Sequence, residues 1–133
     1  MEEIFVDTSA LFALISMNDE NYDSALNTLD DLLQHDTLLI TNNYVIVECF
    51  SLLQRRLGIE AVRELEAKII PLIQIEWIDE EQHTAIVRNV FSANRRQLSL
   101  VDCSGFESMQ RLNLEKIFTF DSHFTEQGFT VIP

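Results

Sequence analysis

The stretch IFVDTSALFALIS, residues 4–16, decides how the rest of the chain is read. Ile4, Phe5 and Val6 form an apolar run that stops at Asp7. A run that short, so near the first residue, reads as a buried strand. Thr8 or Ser9 then offers an N-cap, and ALFALIS begins a helix. A strand passing directly into a helix is the repeating unit of an α/β fold, and the pattern recurs downstream. TLLIT (37–41) is a second β-rich run, and Asn42 or Asn43 can cap the segment after it, YVIVECFSLLQRRL. That segment is too long for a strand, and Gly58 closes it as a helix C-terminal signal.

Residues 19–35 lie between these two units. They place Tyr22, Leu26, Leu29, Leu32 and Leu33 at helical spacing, with acids on the other face. Residues 59–70 read as a helix ending before Pro71. LIQIEWI (72–78) alternates apolar and polar residues, which predicts a third strand near a sheet edge. Residues 80–95 are helical, with Ile86, Val90 and Val87 inward, and residues 100–112 form a further helix. IFTF (117–120) reads as a strand ending at Asp121, and Phe129 to Ile132 as a last strand. Short apolar strands alternating with helices predict one α/β domain over residues 1–133. Its central sheet would be mainly parallel, with helices on both faces.

Composition agrees with a single packed domain. The chain has 133 residues, 47% hydrophobic, with only 3 Gly and 2 Pro. It contains no linker, internal repeat or low-complexity tract. Cys49 and Cys103 are too few for a disulfide framework and lack metal-type spacing, so they read as buried small side chains. No apolar run reaches the ~18 residues of a membrane span. The acidic start MEEIFVDTSA has no basic leader pattern, so a cytoplasmic protein without membrane contact is expected. The formal net charge is −13, from 22 acids against 9 bases. That excludes a broadly basic nucleic-acid-binding surface, so any such chemistry must be local.

In parallel α/β sheets, ligands sit outside the carboxyl ends of the strands. Four acids stand out there. Asp7 follows the first strand and Asp121 the later IFTF strand. Each would suit a helix cap or an Asx-turn, and together they would face one crevice if their strands are neighbours. Glu48 is the only charged residue from Tyr44 to Leu53, so it needs either a buried Arg or a cation. Asp102 opens a helix and fits a capping box with Ser99. Clustered carboxylates repel, and burial raises their pKa unless a cation intervenes. Oxygen donors without a His or Cys cluster point to Mg²⁺ or Mn²⁺, and to phosphoryl-type chemistry.

At these residues the chain resembles the PIN domain family, most closely its small VapC-like toxins of type II toxin–antitoxin systems. The likeness covers nearly the whole sequence. FVDTSAL (5–11) matches the first acidic ligand at Asp7, with Thr8 and Ser9 as its hydroxyl-rich continuation. Glu48 matches a helix-borne glutamate, and LSLVDC (98–103) carries the third acid, Asp102. IFTFDSHF (117–124) carries Thr119 two residues before the fourth acid, Asp121, and Phe124 after it. Cys103 stands where alanine is usual, and Gly105 weakens the start of its helix.

The resemblance implies a sheet in the order 3-2-1-4-5 and a ribonuclease dependent on one or two Mg²⁺ or Mn²⁺ ions. RNA phosphodiesters would be its substrate, with 5′-phosphate and 3′-hydroxyl products. It also implies a homodimer and a cognate antitoxin protein. Asp7, Glu48 and Asp102 would hold the first ion, and Asp121 would support a second or orient the attacking water. Thr8, Ser9 and Thr119 would support these ligands or face phosphate.

Seven of the nine basic residues are Arg, a side chain whose planar fork matches phosphate. Arg55 follows Glu48 by seven residues, nearly on one helical face and about 10 Å along the axis. Arg95 and Arg96 precede LSLVD and can reach the cleft rim, or equally project into solvent. His123 reads as a surface or packing residue, and Trp77 with most of the Phe residues as core. The alternative function is a PIN-like interaction module without catalysis, suggested by the global acidity. A phosphatase or phosphoryl-accepting receiver is disfavoured. Asp7-Thr8-Ser9 lacks a second Asp, and no Lys follows a late strand.

Overall fold

The computed structural model describes residues 1–133. Strand β1 (Glu3–Val6) leads into α1 (Thr8–Ile15) and α2 (Tyr22–Gln34). Then come β2 (Leu38–Asn42), α3 (Asn43–Leu57), α4 (Ile59–Glu64) and β3 (Ile73–Glu76). The chain continues through α5 (Glu80–Ala93), α6 (Leu100–Arg111), β4 (Lys116–Phe118), α7 (His123–Glu126) and β5 (Thr130–Ile132). The five strands form one sheet in the order β3-β2-β1-β4-β5, and every pair is parallel.

Strand β1 is central, with Phe5 opposite Ile40 on one side and Ile117 on the other. Ile4, Phe5 and Val6 are all buried although successive side chains point to opposite faces, so helices cover both faces. The largest buried side chains, Phe5, Phe118 and Phe124, belong to one continuous core. Gly105 on α6 makes a close approach possible. A Cβ there would meet Phe124 at 3.3 Å and Phe5 at 3.6 Å. The glycine that weakens the helix therefore lets α6 settle against the core.

Several expectations need correction. The residue at the N-cap of α1 is Asp7, and its carboxylate makes no capping bond because it turns toward Thr119. Strand β4 stops at Phe118, two residues early, where the Thr119 hydroxyl takes over backbone bonding. The helix after residue 59 continues past Glu64 as one π turn over 65–69 and a 3₁₀ turn over 70–72 that contains Pro71. On α2, Ala25, Leu29 and Leu32 are buried, whereas Leu26 and Leu33 are exposed. The apolar stripe is wider than the face the core can cover. Trp77 is 71% exposed, because edge strand β3 ends at Glu76 and nothing packs beyond it. The short helix α7 has no clear sequence signal.

Candidate active site

The chain leaves β1 toward β2 and β3, then crosses back to β4 and β5 on the other side. The segments after β1 and β4 therefore diverge and open a crevice at the carboxyl end of the sheet. The Asp7 N–H extends the ladder by donating to the Phe118 carbonyl at 3.1 Å. That bond sets Asp7 beside the residues that follow β4.

Thr119, fully buried, ties these residues together. Its hydroxyl donates to Asp7 Oδ2 at 2.9 Å and accepts from the Asp121 N–H at 3.0 Å. Ser9 Oγ lies 3.0 Å from the Thr119 hydroxyl and 3.3 Å from Asp7 Oδ2, and accepts from the Phe120 N–H at 2.9 Å. Burial pushes the Asp7 carboxyl up to about 6, opposed by the Thr119 bond and raised further by the charges of Asp102 and Asp121. Three of the four acids thus share one electrostatic neighbourhood. Thr8 is buried, and its hydroxyl has no hydrogen-bond partner.

Asp102 fills the capping role expected of it. Its Oδ2 accepts from the Ser99 N–H at 3.1 Å, and its own N–H donates to Ser99 Oγ at 3.0 Å, closing a capping box on α6. The same carboxylate faces Asp121 and His123. Its pKa is raised, chiefly by burial and also by Asp121. Asp121 Oδ1 accepts from the His123 N–H at 2.9 Å, an Asx-type turn that folds residue 123 back. His123 Nδ1 then lies 3.2 Å from Asp121 Oδ1 and 3.8 Å from Asp102 Oδ2. One donor atom from each of Asp102, Asp121 and His123 falls within 4.8 Å of the other two. His123, read from the sequence as a surface or packing residue, therefore lies in the cleft.

Glu48 stands on α3 and forms no ion pair, so the buried-Arg alternative is not realised. It lines a groove of about 450 Å³ with Tyr44, Val47, Leu100 and Val101. Leu100 and Val101 lead directly to Asp102. The buried Cys49 thiol is pushed up to about 12, mainly by burial, with the Glu48 and Asp7 charges adding.

Asn42 caps α3 as expected, but its link to α6 had not been foreseen. Asn42 Oδ1 caps α3 by accepting from the Val45 N–H at 2.9 Å. Its Nδ2 donates to Ser108 Oγ at 3.0 Å and Ser104 Oγ at 3.2 Å on α6. All three residues are fully buried. This brace fixes α3, which carries Glu48, against α6, which carries Asp102. The serines, four residues apart on one helical face, were the available signal.

The arginines separate into two kinds. Arg55 and Arg96 are exposed and unpaired. Both terminal nitrogens of Arg95 reach Glu126 Oε2 at 3.2 Å, tying the loop before α6 to α7. Arg56 lies over the Phe12 ring, 5.6 Å from its centre.

The donors present fit a divalent cation. Carboxylates raised by burial and mutual repulsion gain from one. The His123 Nδ1 is sealed from water without a hydrogen-bond partner, as a donor held for a ligand would be.

The family model described as PIN domain matches residues 4–129. The 23S rRNA-specific endonuclease VapC20 of Mycobacterium tuberculosis is 25% identical over 130 residues, 97% of each chain. The crystal structure of VapC20, described as a Sarcin-Ricin loop cleaving toxin, superposes with a TM-score of 0.83. It covers 96% of both chains at 26% identity. VapBC2 from Rickettsia felis, bound to a DNA fragment from their promoter, shares the fold with a TM-score of 0.72. Its identity is 11%, over 98% of this chain and 97% of that one.

Proposed function

Because this chain belongs to the PIN domain family, we propose that its acidic cleft is the catalytic centre of a metal-dependent endoribonuclease, the toxin of a type II toxin–antitoxin pair. The observation that carries the reading is the meeting of Asp7, Asp102 and Asp121 beyond the ends of β1 and β4. Glu48 is held nearby on α3. None of the four acids is missing from the sequence, which favours the catalytic reading over an inactive interaction module.

Asp7, Glu48 and Asp102 are assigned to the first ion, and Asp121 to a second ion or to the attacking water. One or two Mg²⁺ or Mn²⁺ ions would supply Lewis acidity for activating water and neutralise charge on the scissile phosphate. The Thr119 hydroxyl is committed to Asp7 and to the Asp121 amide, so its work is positioning. Ser9 shares that work, and Thr8 has a free hydroxyl beside it. Arg55 and Arg96 are free to meet phosphates flanking the cleaved bond. Arg95 must first leave Glu126.

The substrate is a structured RNA of the class that VapC20 cleaves, a ribosomal stem-loop. The partner is an antitoxin protein, and the protomers pair as homodimers. Exposed Val47, Phe50, Trp77 and Phe91 supply apolar anchors for such contacts. No helix is long and apolar enough to cross a membrane. A ribosomal substrate would put the work in the cytoplasm. The test is cleavage of a ribosomal stem-loop RNA with Mg²⁺ or Mn²⁺, comparing the wild type with Asp7→Asn. Cleavage is expected to fall by at least about a hundredfold in the variant, in line with the loss of a principal catalytic electrostatic group. Equal cleavage by the two proteins sinks the proposal.

A further inference from the structure

His123 is the one nitrogen donor in the acidic cleft, and the geometry points to it as a metal ligand that biases the site toward Mn²⁺ over Mg²⁺. The inference rests on the metal-dependent reading above and specifies which ion the cleft selects. Three features place the imidazole there. The Asx-type turn of Asp121 folds residue 123 back, so that Nδ1 and the main-chain N–H face the same carboxylate oxygen. The ring nitrogen, Asp102 and Asp121 each present a donor atom within 4.8 Å of the others. The nitrogen is shielded from water, yet it makes no hydrogen bond.

The position is also stiff. Phe124, the next residue, is fully buried. Its ring packs edge-on against Phe106 at 5.0 Å between centres and fills the space left by Gly105. Residue 123 is thereby anchored to the core on one side and to Asp121 on the other. A donor held this way suits a ligand better than a surface side chain that samples solvent.

Two carboxylates and an imidazole make a mixed oxygen and nitrogen donor set. Mg²⁺ is hard, keeps its waters and takes oxygen ligands in a strict octahedron. Mn²⁺ shares the preference of Mg²⁺ for carboxylate oxygen, but as the first member of the transition-metal affinity series it takes a nitrogen donor more readily than Mg²⁺ does. Removing the imidazole should therefore weaken Mn²⁺ much more than Mg²⁺.

The test uses the full chain in three measurements. Calorimetric titration with Mn²⁺ and with Mg²⁺ compares the wild type and His123→Asn. Pulsed electron paramagnetic resonance on bound Mn²⁺ looks for coupling to an imidazole nitrogen, with ¹⁵N-histidine labelling to identify it. Cleavage of RNA with Mg²⁺ runs alongside. The expected result is nitrogen coupling in the wild type and its loss in His123→Asn. The ratio of Mn²⁺ to Mg²⁺ affinity should fall by about tenfold or more, the usual range for losing a supporting metal contact. If His123→Asn does not fold, the label experiment on the wild type decides alone. Absence of nitrogen coupling, with Mg²⁺-dependent cleavage intact, overturns the ligand assignment and leaves the nuclease reading standing. Failure of the wild type to bind either ion overturns both.

Discussion

Asp7 is the residue where function and stability oppose each other. Its folded pKa, about 6, lies above its ordinary value of 3.8. Below pH 4 it is protonated in both folded and unfolded chains and carries no penalty. Between about pH 4 and 6 the unfolded chain releases its proton first, so stability falls as pH rises. Above 6 the whole penalty is present, up to about 3 kcal/mol for a shift of roughly two units. Asp7→Asn keeps an oxygen for Thr119 and removes the charge. With chelator present at pH 7.5, the variant should therefore melt higher than the wild type, and the gain should vanish near pH 4. A variant that melts lower at pH 7.5 contradicts this account of Asp7.

Thr119 makes the complementary case at the same scale. Thr119→Val leaves the Asp121 N–H without its acceptor and takes the donor from Asp7. Urea denaturation should show a loss of about 1–3 kcal/mol. Cleavage should fall with it, and Thr119→Ser should restore most of both.

At the scale of elements, the site depends on how α3 and α6 are held. Asn42 supplies the only side-chain cap of α3 and both hydrogen bonds from its amide nitrogen to α6. Asn42→Ala should cost about 2–3 kcal/mol in urea denaturation, combining a lost cap with hydroxyls left unpaired. Metal affinity should drop as well, because Glu48 and Asp102 then lose their common brace. A variant equally destabilised but with unchanged metal affinity would show that the brace serves folding alone. The alternation of strands and helices was legible because length and apolar period differ sharply between the two. The brace was not, since Asn42 and Ser108 are 66 residues apart and meet only through the crossover.

For the whole molecule, the net charge of −13 sets the terms of RNA contact. The surface repels RNA generally, and few cations remain free to answer. With about three phosphate contacts, the slope of log K against log salt should be near −2 for single-stranded RNA. Arg55→Ala and Arg96→Ala should each reduce that slope by a little under one, measured by anisotropy with the Asp7→Asn protein. An unchanged slope in both variants removes them from the RNA path. The exposed Trp77, Phe91, Leu26 and Leu33 belong to this scale too. Their types and spacing marked them as apolar, but only the assembled layers reveal which apolar positions lack a neighbour.

The sequence by itself determined the α/β class, the strand-end acids and Glu48 as a lone charge in an apolar helix. Each of these is a local property, read from a run of a few residues and its period. The tertiary structure decided what those acids share. Strand β4 pairs with β1 across more than a hundred residues, and that pairing brings Thr119 to Asp7. The turn after Asp121 aims the His123 nitrogen into the cleft. No local pattern carries that information, because desolvation, mutual repulsion and donor geometry exist only once distant segments pack around the same space.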